Sequence, residues 1–141
     1  MEETSYLSHI PRLMVIGNLM LLLKVDPVQV LNWFTVMFID SCDTLMVPNI
    51  IMSQYNSKIM MTRVYISSFN YIQKMSNEKY PEADKTKWDA LFYAFLLSHA
   101  KLGLSSYVYA STTKNLLKLP DAKKRAIKQL ASEVASTLVK R

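Results

Sequence analysis

Apolar positions recur at helical spacing along most of this chain. Leu13, Ile16, Met20 and Leu23 follow one another at intervals of three, four and three, which predicts a helix over 11–23. Its other faces are apolar too, so this helix is expected to be buried on several sides or pressed against another subunit. Asp26-Pro27 reads as an N-cap followed by a first-turn proline. It opens a predicted helix through about Ile39, with Val30, Phe34, Met37 and Phe38 inward. Asp40-Ser41-Cys42-Asp43 is a turn. Ile51, Met52, Tyr55 and Ile59 resume the helical pattern, and Met61, Tyr65, Phe69, Ile72 and Met75 predict one long helix to about Ser76. The triplet Val64-Tyr65-Ile66 is strand-like, but the longer period outweighs it.

Residues 77–85, with Asn77, Glu78, Pro81, Glu82 and Asp84, form a predicted polar linker. Beyond it, Trp88, Leu91, Phe92, Phe95 and Leu96 make an amphipathic stripe, with Asp84 or Thr86 at the cap and Gly103 as the residue that ends the helix. Leu104 to Leu117 is a helix rich in Ser, Thr and Tyr, in which Tyr107-Val108-Tyr109 is the strand-like exception. Pro120 starts a last helix whose apolar stripe is Ile127, Leu130, Ala131, Val134 and Leu138. The expectation is a single all-α domain over 1–141, a helical bundle of six or seven helices with a basic C-terminal helix. It divides into a short arm (1–10), an apolar helical part (11–76), the linker (77–85) and a helical hairpin plus the basic helix (86–141).

Composition sharpens this picture. Two glycines stand in 141 residues, where about ten would be ordinary, which argues against a sheet of tight hairpins and excludes Gly-rich phosphate loops. One cysteine, Cys42, allows neither an internal disulfide nor a multi-thiolate metal site. The acidic start, Glu2 and Glu3, is unlike a signal peptide. The apolar run Leu13–Leu23 falls short of the roughly twenty residues a membrane span needs. An intracellular or virion location is expected, without a transmembrane span.

Charge is the most uneven property. Residues 101–141 carry nine Lys and Arg against Asp121 and Glu133, a balance of +7, while the first hundred residues carry −1. Lys101, Lys114, Lys118, Lys123, Lys124, Arg125, Lys128, Lys140 and Arg141 are therefore the candidate nucleic-acid-binding residues. Cations neutralise phosphates, and neighbouring hydroxyls (Ser105, Ser106, Ser111, Thr112, Thr113, Ser132 and Ser136) can donate to phosphate oxygens without reading bases. Lys123, Lys124 and Arg125 lie in a first turn, where the helix dipole disfavours cations. Something other than helix stability is expected to keep them there. A solvated helix face is the plain alternative, and an anionic membrane surface a further one.

Catalytic constellations are weak. His9 and His99 are far apart and lack ligands at metal spacing. Adjacent Ser98 and His99 point about 100° apart on a helix, and the pairs Asp40/Asp43 and Asp84/Asp89 suit helix capping. The chain is expected not to be an enzyme and to use no cofactor or metal. Its Met and aromatic load, and the apolar helices at its start, point instead to self-association, with Leu13, Ile16, Met20, Trp33, Phe34 and Phe38 as candidate subunit-interface residues. By architecture alone, a small, basic, Gly-poor helical chain resembles viral coat and nucleocapsid proteins, which implies a homo-oligomer or assembly that coats DNA or RNA. The alternative is a helical module taking a partner helix in an apolar groove.

Overall fold

The computed structural model describes residues 12–38, 47–48, 50, 53–54, 66–76 and 80–139. Among them every regular element is helical and there is no strand, so the chain is all-α. Packing divides it into two compact units, Met1–Ser67 and Ser68–Arg141. The division falls nine residues before the stretch read as a linker.

In the first unit a π-helical turn, Arg12–Gly17, runs directly into α1 (Asn18–Leu22). The end of α1 is built as a Schellman motif. Val25 N–H donates to Met20 O at 3.0 Å and Lys24 N–H to Leu21 O at 3.0 Å. That geometry puts Lys24 at φ 59°, the left-handed region. Two residues later Asp26 caps α2 (Pro27–Met37), its Oδ1 accepting from Val28 N–H at 2.8 Å and Gln29 N–H at 3.4 Å. Val30, Phe34, Phe38 and Ile50 form the core of this unit, with Ile16, Met20, Val25, Leu31, Trp33 and Met37 packed around it. Trp33 meets Phe34 and Phe38 edge-on, with centroids 5.4 and 5.9 Å apart. Two buried amides tie distant stretches together: Asn18 Nδ2 donates to Ser67 O at 3.2 Å, and Gln54 Nε2 to Gly17 O at 2.8 Å.

The long helix expected to end near Ser76 is interrupted. Residues 66–68 are not helical, and α3 is Phe69–Ser76, started at Ser68, whose carbonyl accepts from Tyr71 and Ile72 N–H. In the second unit α4 (Glu82–Ser98) follows, beginning inside the expected linker because Pro81 pre-sets the entry and Glu82 and Asp84 suit the positive end of the helix dipole.

α4 buries Ala90, Leu91, Phe92, Phe95 and Leu96, which cover well over one face. It is the central helix, packing against α3, α5 (Ala100–Ser105), α6 (Ala110–Leu117) and, most extensively, α7 (Asp121–Val139). Gly103 does not end α4. The helix stops at Ser98 and breaks at His99, and Gly103 lies inside α5, where a Cβ would fall on Thr113 Oγ1 and sit 3.2 Å from Leu96 Cδ2. The glycine is there for close packing. α7 meets α4 through Ala131 and Val134, whereas Leu130 and Leu138 of the expected stripe are exposed.

Candidate nucleic-acid interface

The basic residues are carried by α5, α6 and α7, and no carboxylate occurs between Asp89 and Asp121. On α6, Thr113 and Leu116 face inward. Lys114 is exposed on the opposite side, and Lys118, one turn further on, is exposed at the end of the helix. Ser106 is in effect the N-cap of this helix. Its backbone is extended at φ −85°, ψ 124°, its Oγ accepts from Tyr109 N–H at 3.4 Å, and its carbonyl accepts from Ala110 N–H at 2.9 Å. Tyr107 to Tyr109 are thus the turn that leads into α6. At about 100° per residue, Ser111, Lys114 and Lys118 share one arc of roughly 60°, and Tyr107 stands in the turn before them. All four are exposed, and Tyr107 completely so, at 102%.

Three residues on, α7 begins and adds Lys123, Arg125 and Lys128, all exposed. Lys124 is different: it lies toward α4, with a side chain 26% exposed, and pairs with Asp121 at 3.4 Å. The end of α6 and the first turns of α7 thus carry Lys114, Lys118, Lys123, Lys124, Arg125 and Lys128 with one carboxylate, Asp121, among them. Lys123 projects to the other flank of α7 from Arg125 and Lys128, so α7 alone does not present one basic face. Lys101 is exposed on α5. Lys140 and Arg141 lie outside the described residues.

The hydroxyls contribute less than the sequence promises. Ser105 donates to Leu102 O, Thr113 to Tyr109 O and Ser136 to Glu133 O, at 2.8–2.9 Å. Ser106 and Thr113 are also buried. Short hydroxyl side chains in helices bond back to the preceding turn, and that leaves Ser111 and Ser132 as exposed hydroxyls near the cations.

The candidate interface residues of the first unit are mostly inside it. Phe34 and Phe38 are fully covered by their own chain, and Ile16, Met20 and Trp33 are half-buried around them. The side chain of Leu13 lies outside the described residues. Among catalytic candidates, Ser98 Oγ donates to Ala94 O at 2.9 Å, and the His99 ring stacks on Phe95 at 4.4 Å with Nδ1 3.2 Å from Phe95 O. Asp84 pairs with Lys87 at 3.2 Å. Asp89 accepts the Phe69 backbone N–H, so it caps the start of α3 from a neighbouring helix; burial is the main reason its pKa is raised. Tyr109 is likewise raised by burial and takes a backbone hydrogen bond with Ser68. His9, Asp40, Cys42 and Asp43 lie outside the described residues. Among the described residues no three His, Cys, Asp or Glu side chains gather as a metal site, and no helix is long and apolar enough to cross a membrane.

Similarity places the chain beside two known proteins. The uncharacterized protein R855 of Acanthamoeba polyphaga mimivirus is 32% identical over 115 residues, covering 75% of this chain and 94% of that protein. The chain belongs to the family of that viral protein. A (6-4) photolyase of Agrobacterium fabrum is 39% identical over 77 residues, or 53% of this chain. The chain spans only 15% of that enzyme's length. No family model matches the sequence. The relatives thus include a whole viral protein of similar length and a short tract of a much larger enzyme.

Proposed function

We propose that this chain is a non-enzymatic, nucleic-acid-binding helical protein that grips the phosphate backbone without reading sequence, and that copies of it associate to coat or package DNA or RNA. The observation that carries this reading is the cationic corner of α6 and α7, with six Lys and Arg against one carboxylate. Three of the cations stand in or beside a helix first turn, where they are unfavourable to the helix itself. A chain that keeps charges at a local disadvantage gains from them elsewhere, and a polyanion is the matching partner. The relationship to a viral protein supports the reading without defining its task.

The test is binding to a random duplex and a single strand across salt. Five exposed cations engaging phosphates would give a logarithmic salt slope of about −4 to −5 on duplex. Lys114→Glu/Lys118→Glu should flatten that slope and weaken binding for every sequence alike. Light scattering should show large particles with nucleic acid that dissolve as salt rises. Indifference to both nucleic acids at about 50 mM salt ends the proposal.

A second reading rests on the photolyase. There a related tract is enclosed in a much longer chain, so this protein would act as a helical module docking on a partner polypeptide. Exposed Val28 and Val36 on α2 would then be covered. A particle that stays small, ignores nucleic acid and anionic vesicles, and gains a defined stoichiometry with a purified partner favours this reading. Binding to anionic vesicles alone points to a peripheral membrane role.

A further inference from the structure

We infer that Tyr107, exposed in the turn that enters α6, is a stacking platform for single-stranded nucleic acid, with an unpaired base on the Tyr107 ring and successive phosphates on Lys114 and Lys118. This rests on the phosphate-backbone reading above and deepens it by naming the form of nucleic acid. Tyr107 is wholly exposed, with no protein surface covering its ring. A tyrosine usually places its ring against protein, as Tyr109 does against Phe92 at 5.3 Å. Tyr107 instead stands uncovered in a turn closed by Ser106, which accepts from the Tyr109 and Ala110 N–H groups.

Beyond that turn Ser111, Lys114 and Lys118 follow on one face of α6, about 10 Å from first to last at 1.5 Å per residue. The face carries no carboxylate, since none occurs from Ala90 to Pro120. An aromatic ring at one end of a cationic track suits a strand whose bases are unpaired, because every base has a flat face and the backbone supplies the charge. A duplex hides its base faces and would use only the lysines. Charge complementarity selects a polyanion, and the uncovered ring selects one with flat apolar groups.

The test uses labelled oligothymidine, an abasic strand of equal length and a duplex, read by fluorescence anisotropy with the full chain at low salt. Tyr107→Ala should weaken oligothymidine binding about tenfold and leave the abasic strand and duplex unchanged, whereas Tyr107→Phe keeps wild-type binding. Removal of a fully exposed side chain leaves the core intact, which a matching thermal midpoint checks. A bromouracil strand should crosslink to Tyr107. Should Tyr107→Ala bind oligothymidine as wild type does while Lys114→Glu/Lys118→Glu weakens all three ligands, stacking is overturned and phosphate binding survives. Should the wild type bind none of the three, the proposed function itself falls. Polyglutamate of equal charge binding as tightly as oligothymidine also overturns the platform.

Discussion

Gly103 lies so close to Thr113 that a side chain on the glycine would occupy the place of the threonine hydroxyl. Thr113 cannot readily yield, being fully buried with Oγ1 donating to Tyr109 O at 2.8 Å. Gly103→Ala should therefore destabilise the second unit by about 1–3 kcal/mol, overriding the roughly 1 kcal/mol that alanine gains over glycine inside a helix. Thermal unfolding of Gly103→Ala, Thr113→Ala and the double variant checks it. In the Thr113→Ala background most of the cost should vanish, and a full cost there would place the clash elsewhere.

The corner between α1 and α2 holds two opposed contributions. Lys24 occupies the left-handed position that glycine ordinarily fills, a strain of about 1–2 kcal/mol. Lys24→Gly should stabilise the first unit by up to about 1 kcal/mol, the rest being returned as unfolded-chain entropy. Asp26→Ala should do the reverse, losing about 1 kcal/mol with the cap. Urea denaturation of the two variants should move the midpoint in opposite directions.

Asp89 gives a pH signature. Burial raises its pKa above the ordinary 3.8, so the fold disfavours its charged form. The resulting penalty is fully present above the folded pKa and disappears as pH falls toward and below 3.8. Asp89→Asn keeps an acceptor for the Phe69 N–H and removes the charge. It should raise the melting temperature at neutral pH, with the advantage closing as pH falls through the Asp89 titration. Asp89→Leu, which leaves the start of α3 without its acceptor, should lower it at every pH.

Asn18 is buried in an apolar run and holds the Ser67 carbonyl at 3.2 Å. Asn18→Ala should destabilise by about 1–3 kcal/mol, because the carbonyl loses its donor in a dry site. Hydrogen exchange localised to the first unit would confirm where the loss is felt.

Much of this fold is legible in the sequence. The helical period of Trp88 to Leu96, the Asp26-Pro27 start and the Pro120 start all mark elements that form. Other features depend on tertiary partners. Residues 66–68 are non-helical although the apolar period from Met61 to Met75 runs through them. Gly103 looked like a helix terminator because glycine most often serves there, and only Thr113 on another helix reveals its role. The cations are visible as composition, whereas the exposure of Tyr107 is not. The strand-like triplet Tyr107-Val108-Tyr109 is a turn closed by Ser106, and only the fold shows which of its two tyrosines is covered. The expected donation of Ser105, Thr113 and Ser136 to phosphate failed for a local reason, since each bonds its own helix.

The enclosure of α4 by four other helices has an evolutionary consequence. The buried positions from Ala90 to Leu96 belong to a helix that packs against four others, so a substitution there must suit several partners at once. The outer face of α7 answers only to solvent and to whatever binds it. Divergence within the family should therefore accumulate on α7 and spare α4, so that distant members are recognised by their innermost helix and told apart by their charged one.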